Sequence, residues 1–492
     1  MIGSLTGTIR RLTVFVALLF VALLVNINIV QVGRATSLAN GPGNSRALIQ
    51  EFNTQRGPIL AGGEQIAFSK LTDGRLKYQR VYPNGSVFAP ATGYFSIIYG
   101  LTGIERKLDP VLAGTDPRFS LQQVSDLIAG RTRKGGSVLL TLNLKAQMAA
   151  ATAMKGKVGA VVALDPSTGQ ILALVSNPSY DPNLLASHNT NTEIKAWNTL
   201  LNDPTQPLLN RPLAQVYPPG STFKLVTLSA ALSSGKYTTA TTIPAPARIS
   251  LPQTTSTLSN DNGQQCLNGT VNLQQALEVS CNTAFAQVGM NVGGEALLQQ
   301  AEAYGFNHSF EVPMVAATSR FPQQTLSPPQ VAQSAIGQFD VRATALQMAM
   351  VGAAIANGGI VYEPYLVQEV RAPDLSVLQT AQPREFGRAI SSQVAAEITT
   401  MMEGVVSSNI GTGQQARIPG INVAGKTGTA QTAPGQPDDA WFVAFAPSSG
   451  SAGGPQVAVA VVVEGAPNQQ DVWGGKLAAP VAKAVIQAVM SR

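Results

Sequence analysis

Pro218-Pro-Gly-Ser-Thr-Phe-Lys224 is the stretch around which this chain of 492 residues is organised. Prolines are excluded from helix interiors but accepted in the first turn, so the Pro-Pro-Gly run predicts that a helix begins here. The apolar run 225–232 continues the helix, and Gly235 marks its end. Ser221 is therefore expected at the helix N-terminus, where free N–H groups favour developing negative charge. Lys224, three residues later, is expected on the same face, with its amine in reach of the Ser221 hydroxyl.

Two shorter motifs follow in order. Ser280-Cys-Asn282 begins 59 residues after Ser221, and Lys426-Thr-Gly-Thr429 begins 146 residues after Ser280. A serine, a lysine base, a second polar pair and a basic strand are together typical of an acyl-serine enzyme that uses lysine where other hydrolases use histidine. A lysine acts as a base only when it is neutral, which requires burial or a neighbouring cation, and Lys426 is the candidate cation.

Each motif is weak by itself, and the ordered set carries the prediction. Ser233-Ser-Gly-Lys236 repeats the first motif but falls at the predicted helix end. Ser187-His-Asn189 and Ser407-Ser-Asn409 repeat the second, whereas Lys-Thr-Gly occurs once. A lone Ser221 would be explained equally well as a helix N-cap.

The composition disfavours several classes of function. The net charge is +6, yet no run of Lys or Arg interleaves with aromatic residues, so nucleic acid is not an expected partner. An anionic membrane or wall polymer explains the charge equally well. With two His and two Cys in the chain, neither a zinc site nor any other metal or cofactor is expected. A Ser-His-Asp triad would need His188 or His308, both in polar, loop-like sequence, and is disfavoured.

Residues 12–32 are uncharged, mostly apolar and long enough to cross a bilayer. Arg10 and Arg11 precede this run, which favours a cytoplasmic N-terminus and an extracytoplasmic catalytic part in the cell membrane. A cleaved signal peptide ending at Ser37-Leu-Ala39 is the alternative, although the apolar run is longer than the usual signal core. In either case two cysteines outside the cytoplasm can pair. Cys266 and Cys281 are predicted to form a disulfide, with two buried thiols as the alternative.

The sequence divides into four predicted parts: a cytoplasmic tail 1–11, a transmembrane anchor 12–32, a mixed N-terminal module 33–135 and a large domain 136–492. Within the last, strands are predicted at 138–142, 159–164, 170–175, 440–445 and 457–463, and helices at 147–154 and 478–490. Strands at both ends with alanine-rich helices between them predict an α+β or three-layer domain, with one sheet whose edges come from both ends.

The chain resembles the class B penicillin-binding proteins along essentially its whole length. Tyr217–Lys224 and Gly425–Ala430 match the nucleophile and strand motifs of that family, and Arg56-Gly-Pro-Ile59 and Gly100–Glu105 match short motifs of its N-terminal dimerisation or pedestal module. Further matches are Leu164–Ala173, Pro178–Asn183, Leu209–Arg211, Ile336–Gln338 and Ala356–Gly359. The resemblance implies the penicillin-binding and serine β-lactamase-like fold, a central antiparallel sheet with helices, and the activity of a peptidoglycan D,D-transpeptidase.

The resemblance also implies a role for each motif residue. Ser221 would attack the penultimate D-alanine carbonyl of a stem peptide, Lys224 would accept its proton, and Ser280 would relay a proton to the leaving group. Asn282 would orient the substrate amide and Lys426 would tune the electrostatics. Thr427 and Thr429 would bind the substrate carboxylate beside Gly428, and the N–H groups of Ser221 and Thr429 would form the oxyanion hole. A second stem peptide would resolve the acyl-enzyme, and a β-lactam would be trapped. A membrane glycan polymerase is the protein partner that the resemblance suggests.

Three departures from the family pattern stand out: Cys281 inside the Ser-x-Asn motif, Asn143 where Asp is common, and the absence of Asp-Arg after the Arg56 motif. All three are expected to affect packing more than chemistry. Three alternatives remain open at this stage: a β-lactamase, which needs a carboxylate-activated water that the sequence does not place; a D,D-carboxypeptidase, which the motifs do not separate from a transpeptidase; and an acylated sensor or scaffold without turnover.

Overall fold

The computed structural model describes residues 2–33, 49, 51–119, 128–130, 132–432, 435–450, 453–466, 469 and 471–491. The alternative cleavage site at 37–39 lies outside the described residues. The strands are β1 Ile59–Ala61, β2 Glu64–Leu71, β3 Tyr78–Val81, β4 Phe95–Ser96, β5 Gly100–Leu101, β6 Ser137–Leu140, β7 Val158–Leu164, β8 Ile171–Asn177, β9 Thr242–Pro244, β10 Arg248–Ser250, β11 Thr257–Ser259, β12 Thr270–Asn272, β13 Ile360–Tyr362, β14 Val367–Arg371, β15 Val377–Thr380, β16 Glu385–Arg388, β17 Ala424–Ala430, β18 Asp439–Ala446 and β19 Val457–Glu464.

The α-helices are α1 Ile2–Asn28, α2 Gly85–Thr92, α3 Gly103–Lys107, α4 Asp109–Leu112, α5 Leu144–Ala153, α6 Thr190–Leu201, α7 Arg211–Ala214, α8 Lys224–Ser233, α9 Leu273–Glu278, α10 Asn282–Val292, α11 Gly294–Ala303, α12 Pro328–Ser334, α13 Ala345–Ala356, α14 Ser392–Ser407, α15 Gly474–Leu477 and α16 Ala479–Met490.

The central sheet has the strand order β17-β18-β19-β7-β8, and every neighbouring pair is antiparallel. The prediction of one sheet with edges from both ends of the domain is confirmed, since β8 lies early and β17 late in the sequence. The Asp165–Gly169 turn joins β7 to β8.

Helices cover both faces of this sheet. One face packs on α5 and α16, where Val459 and Val461 contact residues such as Val485. The other face packs on α13, where Ala460 and Val462 join the larger core. Successive strand residues point to opposite faces, so a strand buried on both sides reads as a continuous apolar run, and that is the pattern of β19. The predicted α+β, three-layer architecture is confirmed.

The nucleophile segment differs in detail from its prediction. Gly220–Phe223 form a 3-10 turn, and the α-helix α8 begins only at Lys224, so Ser221 lies in the turn before the helix. The helix ends at Ser233, close to the predicted end at Gly235, which has a φ of 69°. The α8 residues from Lys224 to Leu232 are all buried, because this helix passes through the core against α10 and α11.

The N-terminal module is built on a second sheet, with the strand order β15-β14-β6-β1-β2-β3. The predicted strand at 138–142 is present as β6, but it pairs in parallel with β1 and antiparallel with β14 rather than joining the central sheet. Strands on both sides of the predicted domain boundary at 135/136 therefore share this sheet.

Helix α1 at the N-terminus is exposed and apolar, and residues Gly7–Gln31 are long and apolar enough to cross a membrane. This range overlaps the predicted anchor 12–32 and is consistent with membrane anchoring. Its length and composition also fit a signal sequence.

Candidate active site

Ser221 lies against β17 because two glycines permit a close approach. Gly220 has a φ of 51°, and a Cβ atom there would lie 2.7 Å from the carbonyl oxygen of Thr429. A Cβ atom on Gly428 would lie 3.0 Å from Thr222 Cγ2 and 2.9 Å from Trp441 Cβ. The Trp441 indole Nε1 donates to the Pro218 carbonyl oxygen at 3.0 Å, which fixes the start of the turn. The nucleophile turn is thus seated on the strand that carries the Lys-Thr-Gly motif.

The Lys224 amine points to the Ser-x-Asn motif. Its Nζ atom donates to Ser280 O at 2.6 Å, to Asn282 Oδ1 at 2.7 Å and to Ser280 Oγ at 3.2 Å. The predicted contact with Ser221 is not formed, since the Ser221 Oγ atom makes no hydrogen bond to the part of the chain that the structure describes. Three oxygen acceptors of the Ser-x-Asn motif hold the amine instead.

Ser280 connects the two lysines. Its hydroxyl oxygen accepts a hydrogen bond from Lys426 Nζ at 2.7 Å as well as the weaker one from Lys224. Ser280 occupies the junction between α9 and α10 with a φ of 59°, the left-handed region that is costly for a residue with a side chain. Such conformations are common at functional sites. Here the turn directs the Ser280 carbonyl towards Lys224 and the Ser280 hydroxyl towards both Lys224 and Lys426.

Both lysines are fully buried, and burial decides their protonation. Burial lowers the pKa of Lys224 to about 7, against an opposing contribution from the Asp261 carboxylate. Burial and then the charge of Lys224 lower the pKa of Lys426 well below its usual range. Of the two causes that the sequence left open for a neutral Lys224, burial is therefore the main one. The neutral form that a base requires is accessible near pH 7.

Asp261 is a charged residue of the site that the sequence reasoning missed. Asn282 Nδ2 donates to Asp261 Oδ1 at 2.7 Å, while Asn282 Oδ1 accepts from Lys224. The Asn282 amide therefore bridges the Asp261 carboxylate and the Lys224 amine. Asp261 follows β11 in an exposed loop and belongs to none of the three motifs, so no local pattern marks it.

Strand β17 brings the last motif to the same place. Lys426 Nζ also donates to its neighbour's carbonyl, Thr427 O, at 2.8 Å. The Thr427 hydroxyl lies 2.7 Å from that of Thr412, a second residue that the sequence did not indicate. Ser221, Ser280, Thr427 and Thr429 line one cleft of about 870 Å3. Each of the three motifs therefore contributes to this cleft, and Ser280 connects it to the buried amines of Lys224 and Lys426.

Cys266 and Cys281 form a disulfide with their Cα atoms 6.0 Å apart. Cys281 separates Ser280 from Asn282, so the bond ties the loop that carries Asp261 to the Ser-x-Asn turn. The histidines take no part in the site. His188 Nε2 lies 3.2 Å from Tyr78 O, and His308 packs against Phe310 and Phe386.

Residues 159–487 match the family model of the penicillin binding protein transpeptidase domain, and residues 56–138 match that of the penicillin binding protein A dimerisation domain. The chain therefore belongs to the penicillin-binding proteins with a transpeptidase domain, of class B. It is 44% identical to the peptidoglycan D,D-transpeptidase PbpA of Mycolicibacterium smegmatis, over 98% of this chain and 99% of that protein. It is 43% identical to PbpA of Mycobacterium tuberculosis, over 99% of each chain.

Solved structures show the same similarity. The penicillin G acyl-enzyme complex of penicillin-binding protein A from M. tuberculosis superimposes with a TM-score of 0.83 at 44% identity, over 89% of this chain and 100% of that one. The imipenem acyl-enzyme complex of the same protein gives a TM-score of 0.84 at 43% identity, over 90% and 100%. The predicted fold is confirmed: an α+β transpeptidase domain is preceded in sequence by a smaller N-terminal module.

Proposed function

We propose that this chain is a peptidoglycan D,D-transpeptidase that cross-links stem peptides through an acyl-serine intermediate and is covalently inhibited by β-lactams. One observation carries the proposal: a buried lysine with a pKa of about 7 lies one turn after Ser221, held by the Ser-x-Asn motif and connected through Ser280 to a second buried lysine. Membership of the family supports the reaction and the substrate.

In the acylation step, Ser221 Oγ attacks the carbonyl carbon of the penultimate D-alanine, and neutral Lys224 accepts the hydroxyl proton. The carbonyl oxygen becomes negative and is stabilised by the backbone N–H groups of Ser221 and Thr429, which line the same cleft. The 3-10 turn at the start of α8 adds a favourable N-terminal field.

Collapse of the tetrahedral intermediate releases the terminal D-alanine as its amine takes a proton. Ser280 is the relay, because two lysines already fill its lone pairs. Its own hydrogen is therefore available to the leaving nitrogen, and Lys224 returns the proton to Ser280. Lys426 supplies positive potential, Thr427 and Thr429 bind the terminal carboxylate, and Asn282 orients the substrate amide. Gly428 keeps the strand close to the nucleophile turn.

The amine of a second stem peptide then attacks the Ser221 ester and forms the cross-link, whereas a β-lactam leaves a stable adduct because its leaving nitrogen stays attached. We propose that this chemistry occurs outside the cytoplasm, because Arg10 and Arg11 before the apolar helix favour a cytoplasmic N-terminus. We further propose the division into a tail 1–11, an anchor 12–32, a module 33–135 and a catalytic domain 136–492. A membrane glycan polymerase is the partner proposed for the module.

The test is intact-mass spectrometry of the full-length protein in detergent during incubation with penicillin G. The wild type is expected to gain the mass of one penicillin molecule and to retain it for hours. Ser221→Ala is expected to gain none, because the nucleophile is absent. Ser233→Ala is the matched control, since Ser233 begins the second Ser-x-x-Lys match at the exposed end of α8.

The outcomes separate the alternatives. Labelling of Ser221→Ala would refute the nucleophile assignment. An adduct that disappears within minutes would indicate a β-lactamase, and no adduct on the wild type would indicate a module without the chemistry. A D,D-carboxypeptidase would hydrolyse a D-alanyl-D-alanine peptide without ever transferring it to an added amine.

A further inference from the structure

One face of α6 and the turn between β4 and β5 form an exposed apolar surface outside the active-site cleft. Ile194, Trp197 and Leu201 are three and four residues apart, so they share one face of this helix. Ile194 is 42% exposed, Leu201 is 60% exposed, and Ile98 in the turn is 42% exposed. Tyr99 stacks on the Trp197 indole with the ring centroids 4.3 Å apart, which joins the turn to the helix. These five residues are termed the α6 surface.

The charges next to the α6 surface are few, and they are arranged unequally. Glu193 and Lys195 are the only ionisable residues in the sequence of α6. The Glu193 side chain is buried: its Oε2 atom accepts from Ser96 Oγ at 3.2 Å, and its Oε1 atom accepts from the Ile97 N–H group at 3.4 Å. Lys195 is exposed and has no ion pair within the part of the chain that the structure describes. The helix therefore turns its carboxylate inwards and leaves its cation in solvent.

The N-terminal module begins at the base of the α6 surface. Phe52 packs on Phe95 with the ring centroids 4.5 Å apart, and on His188 with the centroids 5.8 Å apart. Phe95 begins β4, which leads into the turn of the α6 surface, and His188 lies two residues before α6. The first part of the module therefore contacts both segments that carry the surface.

The same part of the module is the one closest in sequence to the anchor helix. The described N-terminal helical segment ends at Gly33, and the described chain resumes at Ile49. A chain of that length spans at most about 55 Å. If α1 lies in a bilayer, the base of the α6 surface is thus held within that distance of the lipid.

The side chains of the α6 surface have the chemistry of a bilayer interface. Trp and Tyr are enriched at the level of the lipid headgroups, because their rings are apolar and carry one polar group. Exposed aliphatic residues around such rings, with a basic residue beside them, are typical of helices that lie in the membrane plane. Attachment through α1 makes the contact intramolecular, so a few apolar side chains are sufficient. A protein partner is the other occupant that an apolar surface could have.

We propose that the α6 surface lies in the interfacial region of a phospholipid bilayer and is a second membrane contact of this protein besides α1. The aliphatic side chains of the surface lie between the lipid headgroups, its two aromatic rings lie at headgroup level, and Lys195 lies beside the phosphates. Two contacts fix the orientation of the module relative to the bilayer. This inference rests on α1 as a retained membrane anchor and not on the proposed transpeptidase reaction.

The test is quenching of tryptophan fluorescence by brominated lipid. The full-length protein is reconstituted into nanodiscs of phosphatidylcholine and phosphatidylglycerol, with acyl chains that are either unmodified or brominated. The chain has three tryptophans, and none of them is in α1. Trp441 is fully buried and Trp473 lines the active-site cleft. The difference in emission between the wild type and Trp197→Phe therefore reports Trp197.

Brominated lipid should lower the emission of Trp197 by about twofold or more, and should leave the emission of Trp197→Phe nearly unchanged. The double variant Ile194→Glu/Leu201→Glu places two carboxylates on the α6 surface. It should lose this quenching, because charged groups resist transfer from water into the bilayer.

Leu375→Glu/Val377→Glu is the matched control, since both side chains are well exposed and lie in or next to β15. Strand β15 is one edge of the six-stranded sheet, and β3 is the other. His188, just before α6, lies on the β3 side, with its Nε2 atom 3.2 Å from Tyr78 O. This control should therefore show the quenching of the wild type.

Equal quenching of the wild type and Trp197→Phe would overturn the lipid contact and leave the α6 surface to a protein partner. Trp197 quenching that persists in Ile194→Glu/Leu201→Glu would overturn it as well. Penicillin labelling of each variant reports whether it is folded, and the comparison with Trp197→Phe decides the proposal even if the charged variant does not fold. Failure of the wild type to bind penicillin, with Trp197 quenched, would contradict the proposed function alone.

Discussion

The role that we propose for Lys224, that of the base, depends on where the fold buries this side chain. Three acceptors, two from Ser280 and one from Asn282, satisfy its three N–H donors when it is charged. Burial nevertheless lowers its pKa to about 7, so the charged and neutral forms are close in free energy at neutral pH. A base in that balance can both take and return a proton within one catalytic cycle.

The pH dependence of acylation follows from this pKa. The folded-state pKa of Lys224 lies below its usual value of 10.5, so the neutral, active form increases as the pH rises. The rate constant for acylation by penicillin should rise about tenfold per pH unit below pH 7 and level off above it. Stopped-flow measurement of acylation between pH 5 and pH 9 checks this expectation.

Lys224→Ala should lower the acylation rate by about 100-fold or more and abolish the pH dependence, as expected for loss of a general base. Lys236→Ala is the matched control, because Lys236 is exposed and ends the second Ser-x-x-Lys match. Its rate and pH profile should equal those of the wild type. A wild-type profile that is flat from pH 5 to pH 8 would argue against Lys224 as the base.

At the scale of the elements, the sequence predicts those strands and helices that have a local pattern of apolar residues. The strands β18 and β19 were predictable because burial on both faces leaves uninterrupted apolar runs. The 3-10 turn before α8 was not, because the Pro-Pro-Gly run marks the start of a helical segment but not its hydrogen-bonding pattern. The position of Asp261 in the site was not predictable from the sequence. It reaches the site only because β11 and the loop after it pack against α10.

The disulfide between Cys266 and Cys281 closes a loop and should stabilise the folded protein. A bond across 15 residues stabilises a protein by about 3 kcal/mol through the entropy of the unfolded chain. Replacing both Cys266 and Cys281 by Ser should lower the free energy of unfolding by about that amount. Urea unfolding followed by tryptophan fluorescence measures the loss, and both thiols of the wild type should resist alkylation until the protein is reduced.

The single variant Cys266→Ser provides the control for the second cysteine. It should be destabilised nearly as much as the double variant, because either change removes the same bond. Rapid alkylation of both thiols in the native, unreduced wild type would show that the bond does not form.

At the scale of the whole molecule, the motif at Arg56 and the motif at Glu105 are joined by a buried ion pair. Arg56 and Glu105 lie 49 residues apart, and the Arg56 Nε atom donates to Glu105 Oε2 at 2.6 Å inside the core of the N-terminal module. Arg80 donates to the other carboxylate oxygen at 2.7 Å. The sequence indicated both motifs but not their contact, because pairing across such a distance is decided by the sheet. That sheet contains β1, which follows Arg56, and also β6 and β14, which lie beyond the proposed boundary at 135/136.

This charge cluster should therefore stabilise the junction of module and catalytic domain. Burial raises the pKa of Glu105, and the guanidinium groups of Arg80 and Arg56 more than offset that effect, so the pKa lies below its usual value. Glu105→Gln leaves two buried guanidinium groups without their shared counter-ion, which costs about 3–5 kcal/mol. The unfolding temperature in calorimetry should fall by several degrees.

The control is Glu311→Gln, which breaks an ion pair with Lys107 in which both side chains are well exposed, and should cost less than about 1 kcal/mol. The dependence of the free energy of unfolding on pH provides a second check. Because the folded-state pKa of Glu105 is lowered, its contribution is complete above the usual carboxyl range and is lost as the pH falls through the folded-state value. The difference in free energy of unfolding between the wild type and Glu105→Gln should therefore become smaller in acid. A gap that stays constant from pH 7 to the acid limit would show that the cluster does not stabilise the fold by its charge.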